Sequence, residues 1–152
     1  MRIDREIVEK RMNDFFEACH KRNVKVTHQR TEIYRELASS ENHPDAKMIY
    51  SRLKKRIPAI ALDTVYRNLK FLEKYGLITV VGLNQDSQRF DANIRKHHHF
   101  VCVKCGRISD FYSASLDDIV VPEEASRFGK PLSINVEVKG ICGVCGKKHK
   151  KE

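Results

Sequence analysis

The sequence has no tryptophan, and only four prolines and seven glycines among its 152 residues. That scarcity excludes a collagen-like or low-complexity chain, where those residues dominate. No apolar run approaches the roughly 18–20 residues needed to cross a bilayer. The opening stretch MRIDREIVEKRM lacks the apolar centre of a signal peptide. The chain is therefore expected to be cytoplasmic and to have no membrane partner. There is no HExxH, and no acid/base pair sits beside an open metal position. A zinc-dependent enzyme, such as a hydrolase using the histidines, is the weaker reading on that ground, and none of the residues is assigned a catalytic role. Apart from two CxxCG turns there is no internal repeat.

What is present is charge and cysteine. Lys and Arg outnumber Asp and Glu by 29 to 20, a net charge of +9. Residues before Phe90 carry +6 of it and the remainder +3. A basic half is the electrostatic footprint of a polyanion partner, nucleic acid before anionic membrane. Hydrophobic residues make up 41% and charged residues 32% of the chain, enough for a core and too little charge for disorder. A chain of this length fits one large domain or two small ones. Two small domains would each stand near the lower limit for a self-sufficient core and would need a metal, a disulfide or a partner subunit.

Hydrophobic spacing predicts a helix over 3–22, with Ile7, Met12, Phe15 and Cys19 on one side. Thr27 is a natural N-cap for a second helix carrying Ile33, Tyr34 and Leu37. A third helix begins near Pro44, runs through Ile49 and Leu53, and is stopped by Pro58. A fourth starts at Asp63 or Thr64 and ends before Gly76. LITVVGL then reads as a strand, NQDS as a turn and QRFD as a return strand. This order is a winged helix-turn-helix over 1–90 whose fourth helix is the recognition helix. In that helix Tyr66 and Arg67 lie early, where side chains reach base edges. Residues 91–96 read as a hinge. Beyond them, HHHFVCVK and RISDFYS form a hairpin, Pro122 starts a short helix ending at Gly129, PLSINVEVKGIC is a long alternating strand, and the tail KKHKKE is expected to be disordered.

Cys102–Cys105 and Cys142–Cys145 are each CxxC followed by glycine. Two such knuckles build a tetrahedral cage of four thiolates, the coordination of a closed structural Zn(II) site. Four thiolates leave no open position for catalysis. Cys19 stands alone on an apolar helix face and reads as a small buried hydrophobe. Side chains alternate along a strand, so His97 and His99 point one way while His98, Phe100 and Cys102 point the other. The His-x-His pair is thus free for a second metal. Asp91, Asp110 and His43 are the other ligand-type residues nearby, and nothing in the periodicity brings His43 to the rest. If all five meet, three imidazoles and two carboxylates suit Fe(II), Mn(II) or Zn(II).

The segments KVTHQR, HPDAKMIYSRL, DTVYRNLKFLEKYGLI, RFD, HHHFVCVKCGRISDF and CGVCG resemble the ferric uptake regulator (Fur) family over about residues 15–147. The resemblance implies an α+β chain: an N-terminal winged helix followed by a small α/β dimerisation and metal-binding domain over 97–152. It implies a homodimeric, metal-activated repressor of bacterial genes that binds double-stranded DNA at an AT-rich inverted repeat. It carries over His43, Asp91, His97, His99 and Asp110 as regulatory-metal ligands and marks Tyr66 and Arg67 as base contacts. Within the family the chain is most similar to peroxide-responsive repressors. Asp110 stands where iron sensors more often have Glu, and PLSINVEVKG lacks the histidine that helps them build a further site. One structural Zn(II) and one regulatory Fe(II) or Mn(II) per subunit is the economical expectation. His43 and His97 are the expected oxidation targets. The runner-up is a reversible iron- or manganese-responsive repressor on the same ligands.

Overall fold

The computed structural model describes residues 3–81 and 88–149. The chain divides into two units, Met1–Ile94 and Arg95–Glu152. The division falls inside the segment read as a hinge, but Asp91, read as the first hinge residue, is the last residue of a strand.

The first unit opens with helices α1 (Arg5–Lys21), α2 (His28–Ala38), α3 (Ala46–Leu53) and α4 (Leu62–Lys74). Short polar side chains start three of them. Asp4, Thr27 and Asp45 accept hydrogen bonds from the backbone N–H of Glu6, Arg30 and Met48, which would otherwise lack helical partners. Helix α4 begins at Leu62 with no side-chain cap, so Asp63 sits in its first turn, where a carboxylate favours the positive end of the helix dipole. At its end Gly76 takes φ +67°, the left-handed conformation that costs glycine least. Gly76 N–H then donates to Glu73 and Leu77 N–H to Leu72, the paired bonds of a Schellman motif.

Strands β1 (Thr79–Val81) and β2 (Arg89–Asp91) pair antiparallel, with Thr79 opposite Asp91. The expected NQDS turn between them lies outside the described residues. The core gathers Phe15, Ile33, Tyr34, Leu37, Ile49, Leu53, Val65, Leu69, Leu72 and Phe90. Phe15 stacks on Tyr34 with ring centroids 4.2 Å apart. The Tyr34 hydroxyl donates to the Ala92 carbonyl at 3.0 Å, which ties α2 to the end of β2.

The second unit is a three-stranded sheet in the order β4-β3-β5, built from β3 (His98–Cys102), β4 (Ile108–Phe111) and β5 (Glu137–Gly140). The β3–β4 pair is antiparallel, placing His99 opposite Asp110, and the β3–β5 pair is parallel, placing Cys102 opposite Gly140. Short helices α5 (Ala114–Asp117), α6 (Glu123–Ser126) and α7 (Gly143–His149) complete it. The expected long strand 131–142 is cut to four residues. Its partner β3 is five residues long, so the ladder starts with the His99 N–H donating to Val136 and ends at Cys102. Helix α6 has Pro122 as its N-cap and stops at Ser126, three residues short of Gly129. The tail is also corrected in part: residues 147–149 continue α7, while 150–152 lie outside the described residues.

Candidate metal centres and nucleic-acid interface

The four paired cysteines meet. Each offers a sulfur, and all four atoms lie within 4.8 Å of one another. Cys102 ends β3 and Cys142 follows β5, so the parallel register across Cys102 and Gly140 delivers the two knuckles side by side. Gly140 suits the close approach there. A Cβ on it would lie 2.8 Å from Cζ of Phe100. Each knuckle closes with the same bond: Gly106 N–H donates to Cys102 and Gly146 N–H to Cys142, both at 2.9 Å. The two glycines are otherwise unlike. Gly106 takes φ +72°, whereas Gly146 continues a helix.

The electrostatics of the cluster ask for a cation. The Cys142 and Cys105 backbone N–H groups hold the Cys102 thiol down to about 6. The Cys142 thiol is lowered too, first by the Cys145 N–H. Cys145, crowded by Cys142 and the other sulfurs, is pushed up to about 12. Four sulfurs this close cannot all ionise without a positive ion among them. Sulfurs of Cys105 and Cys142 stand 3.8 Å apart, too far for a disulfide. A tetrahedron with Zn–S near 2.3 Å has an S–S edge of about 3.8 Å.

The imidazole and carboxylate residues form one group in each unit. In the first, His43 Nε2 lies 3.3 Å from Asp91 Oδ2, both side chains buried. Asp91 Oδ1 accepts from the Asn93 N–H at 2.8 Å, which fixes the carboxylate's plane. In the second, His97 Nε2 lies 3.0 Å from His99 Nε2, and Asp110 Oδ1 lies 3.3 Å from His99 and 3.8 Å from His97. The strand register accounts for this, since His99 and Asp110 are direct cross-strand partners. His98 points away. It is buried, and its Nε2 meets Asp117 of α5 at 2.8 Å. That contact joins β3 to a helix the sequence did not announce, and no motif marks Asp117 as its partner.

Helix α4 is two-faced. Val65, Leu69 and Leu72 are buried, while Tyr66, Arg67, Lys70 and Lys74 are exposed. Tyr66 is 44% exposed, so it does not belong to the core. Arg67 pairs with Asp63 one turn earlier at 3.1 Å, with both side chains in solvent. Such a pair is worth little, and the guanidinium is available to another acceptor. Lys21 at the end of α1, and Arg22 and Lys25 between α1 and α2, are also exposed. Among the described residues no helix is long and apolar enough to cross a membrane.

Comparison with known proteins places this geometry. Residues 21–138 match the Ferric uptake regulator family. The chain is 31% identical over 148 residues to the peroxide-responsive repressor PerR of Staphylococcus epidermidis, covering 95% of this chain and 97% of that one. A solved structure of PerR from Streptococcus pyogenes superposes with a TM-score of 0.51 at 29% identity, covering 95% of each chain. A zinc uptake regulator complexed with zinc and DNA superposes with a TM-score of 0.70 at 21% identity, covering 94% of this chain and 97% of that one, a likeness of fold. With a winged helix-turn-helix, an exposed basic face on α4 and a four-cysteine cluster, the chain belongs to the ferric uptake regulator family of metal-responsive, DNA-binding transcription regulators.

Proposed function

We propose that this protein is a homodimeric, metal-dependent repressor that senses peroxide through oxidation of histidines holding a regulatory ion. The observation that carries the reading is the separation of two donor chemistries. Among the described residues the paired cysteines gather in one cluster, while His43 with Asp91, and His97 with His99 and Asp110, gather without sulfur. Cys102, Cys105, Cys142 and Cys145 would hold Zn(II), filling all four tetrahedral positions and leaving none for a substrate. That favours a structural role over a hydrolytic one.

His43 and Asp91 from the first unit, with His97, His99 and Asp110 from the second, would together hold Fe(II) or Mn(II). One imidazole and one carboxylate, or two and one, are too few alone for ions that prefer five or six donors, so we assign both shares to one ion. Ligands drawn from both units make the ion a restraint between them. Its loss removes that restraint, which is the differential contact a switch needs. Asp110 and a β5 without histidine, together with similarity to a peroxide-responsive repressor over 95% of the chain, favour peroxide as the signal. Fe(II), when bound, would supply the redox chemistry that activates peroxide beside the rings that hold it. A ring carbon of His43 or His97 would take one oxygen atom from peroxide and give up two electrons, peroxide's other oxygen would leave as water, and a ligand would be lost.

The DNA partner is read as an AT-rich inverted repeat, met by α4 with Tyr66 packing on thymine methyls and Arg67 bonding a base or phosphate. The dimer is supported by exposed apolar residues of the second unit: Val120, Phe128 and Leu132 are 83%, 93% and 91% exposed. The proposed setting is the bacterial cytoplasm, where the DNA is. Tyr66→Ala should weaken operator binding about tenfold or more, leaving the dimer and zinc content intact. Gel-shift titration checks it, and unchanged affinity would remove Tyr66 from the interface.

The deciding experiment loads zinc-bound protein anaerobically with Fe(II) or with Mn(II), adds a low dose of peroxide, and maps oxidation by peptide mass spectrometry. Added oxygen on His43 or His97 in the Fe(II) sample alone, with loss of DNA binding, is the expected outcome. Unmodified histidines in both samples would replace this reading with a reversible iron- or manganese-responsive repressor.

A further inference from the structure

His43 is one of two non-glycine residues with positive φ among the described residues, at +48°. Residues with a Cβ enter this left-handed region at a cost and stay there when their surroundings hold them. Pro44 follows, and its ring disfavours the right-handed helical alternative.

The rest of the hold comes from β2. Arg89 Nε donates to the His43 carbonyl and Arg89 Nη2 donates to the Asn42 carbonyl. The Arg89 backbone forms an isolated antiparallel bridge with Asp45, and the Phe90 N–H donates to the Pro44 carbonyl at 3.1 Å. Alternation along β2 sends Phe90 into the core and places Arg89 and Asp91 on the opposite face. Asp91 is the carboxylate that meets the His43 ring at 3.3 Å. One face of a three-residue strand therefore carries both a carboxylate and the group that fixes its partner imidazole's backbone.

We propose that Arg89 is a positioning residue for the regulatory ion. Its planar fork grips two successive carbonyls and keeps His43 left-handed, so the ring and the Asp91 carboxylate face an incoming ion without rearrangement. A lysine offers one ammonium on a flexible stem and cannot span both carbonyls in the same way. The inference rests on the reading above that His43 and Asp91 hold the ion.

The test titrates zinc-loaded, full-length protein with Mn(II) by calorimetry, comparing wild type with Arg89→Ala, Arg89→Lys, His43→Ala and Asp91→Ala. Arg89→Ala is expected to weaken Mn(II) binding about ten- to hundredfold, as loss of a group that orients a ligand does. Arg89→Lys should fall between that and wild type, which separates positioning from loss of charge and keeps the test open if the alanine variant is unstable. Zinc content should be unchanged in both. Wild-type Mn(II) affinity in both Arg89 variants, with binding abolished in His43→Ala, would overturn the positioning role alone. Wild-type affinity in His43→Ala and Asp91→Ala would overturn the underlying ligand assignment, and this proposal with it.

Discussion

The two units achieve order by different means. The first packs four helices and a hairpin around one continuous apolar core, with Phe15, Ile33, Ile49, Leu53, Val65, Leu69 and Leu72 all but removed from solvent. In the second, only Cys102, Ile108 and His98 are buried among the described residues, and two of those three bear chemistry. A 58-residue segment with so little apolar burial cannot offset the entropy of ordering its backbone. Its sheet must be held by contacts other than a core, and the four thiolates stand where such a tie is needed. The contrast teaches that the first unit is a self-sufficient scaffold, whereas the second is conditional on what it binds.

The sharpest way to break this comparison is to remove the tie. Cys142→Ser, or exhaustive chelation, should unfold the second unit. Apparent binding energies in small structural zinc domains are roughly 10–16 kcal/mol, more than a sheet this thin can replace. Amide NMR spectra should show collapse of resonances from 95 onward while those of α1–α4 stay dispersed. Collapse of both sets would mean that the first unit is not self-sufficient. The converse substitution attacks the core: Phe15→Ala removes a ring that is 1% exposed and stacked on Tyr34, at a cost of roughly 3–5 kcal/mol. Chemical denaturation should register that loss in the helical signal, with zinc content unaltered.

Smaller effects sharpen the contrast. Gly140→Ala should cost about 1–3 kcal/mol by pressing a methyl against the Phe100 ring. Because Gly140 sets the spacing between Cys102 and Cys142, the readout is faster metal loss to a competing chelator, and unchanged loss would show that the knuckles tolerate the shift. The smallest effect is alkaline and belongs to the first unit. Burial raises the Cys19 thiol above its ordinary 9.0, against the lowering influence of Arg22 and Arg30. Above pH 9 the unfolded chain releases this proton while the folded one keeps it, so stability declines as pH rises towards the folded value. Tyr34, raised chiefly by burial, acts in the same direction at still higher pH. Cys19→Ala should shallow the decline just above pH 9, seen as a flatter dependence of Tm on pH.

Much of this was legible in the sequence where local rules decide. The Thr27 cap, the Gly76 terminus, the two-faced α4 and the β3–β4 hairpin follow from side-chain period and turn chemistry, and the structure has them. The CxxCG pairs announced a shared site because the spacing within each knuckle is local. The pairing of the knuckles, in contrast, depends on a parallel register between strands far apart in the chain. The length of β5 was misjudged for the same reason, since alternation says which face a residue takes and not where its partner strand ends. The left-handed backbone at His43 and the hold of Arg89 on it left no local trace, because the contact spans 46 residues. Neither did the pairing of His98 with Asp117.

The five residues of β3 impose a sequence of events on the molecule. Its last residue, Cys102, belongs to the four-cysteine cluster, and its second, His99, proposed as an imidazole ligand, faces the other way on the same short strand. On the proposed assignment, an ion held by the cysteines would order the strand that presents His99, and so would have to arrive first. The two proposed sites would then be filled in hierarchy. A cell short of the first metal would make copies unable to respond to the second, and the resulting deafness would be inherited by every signal routed through that strand.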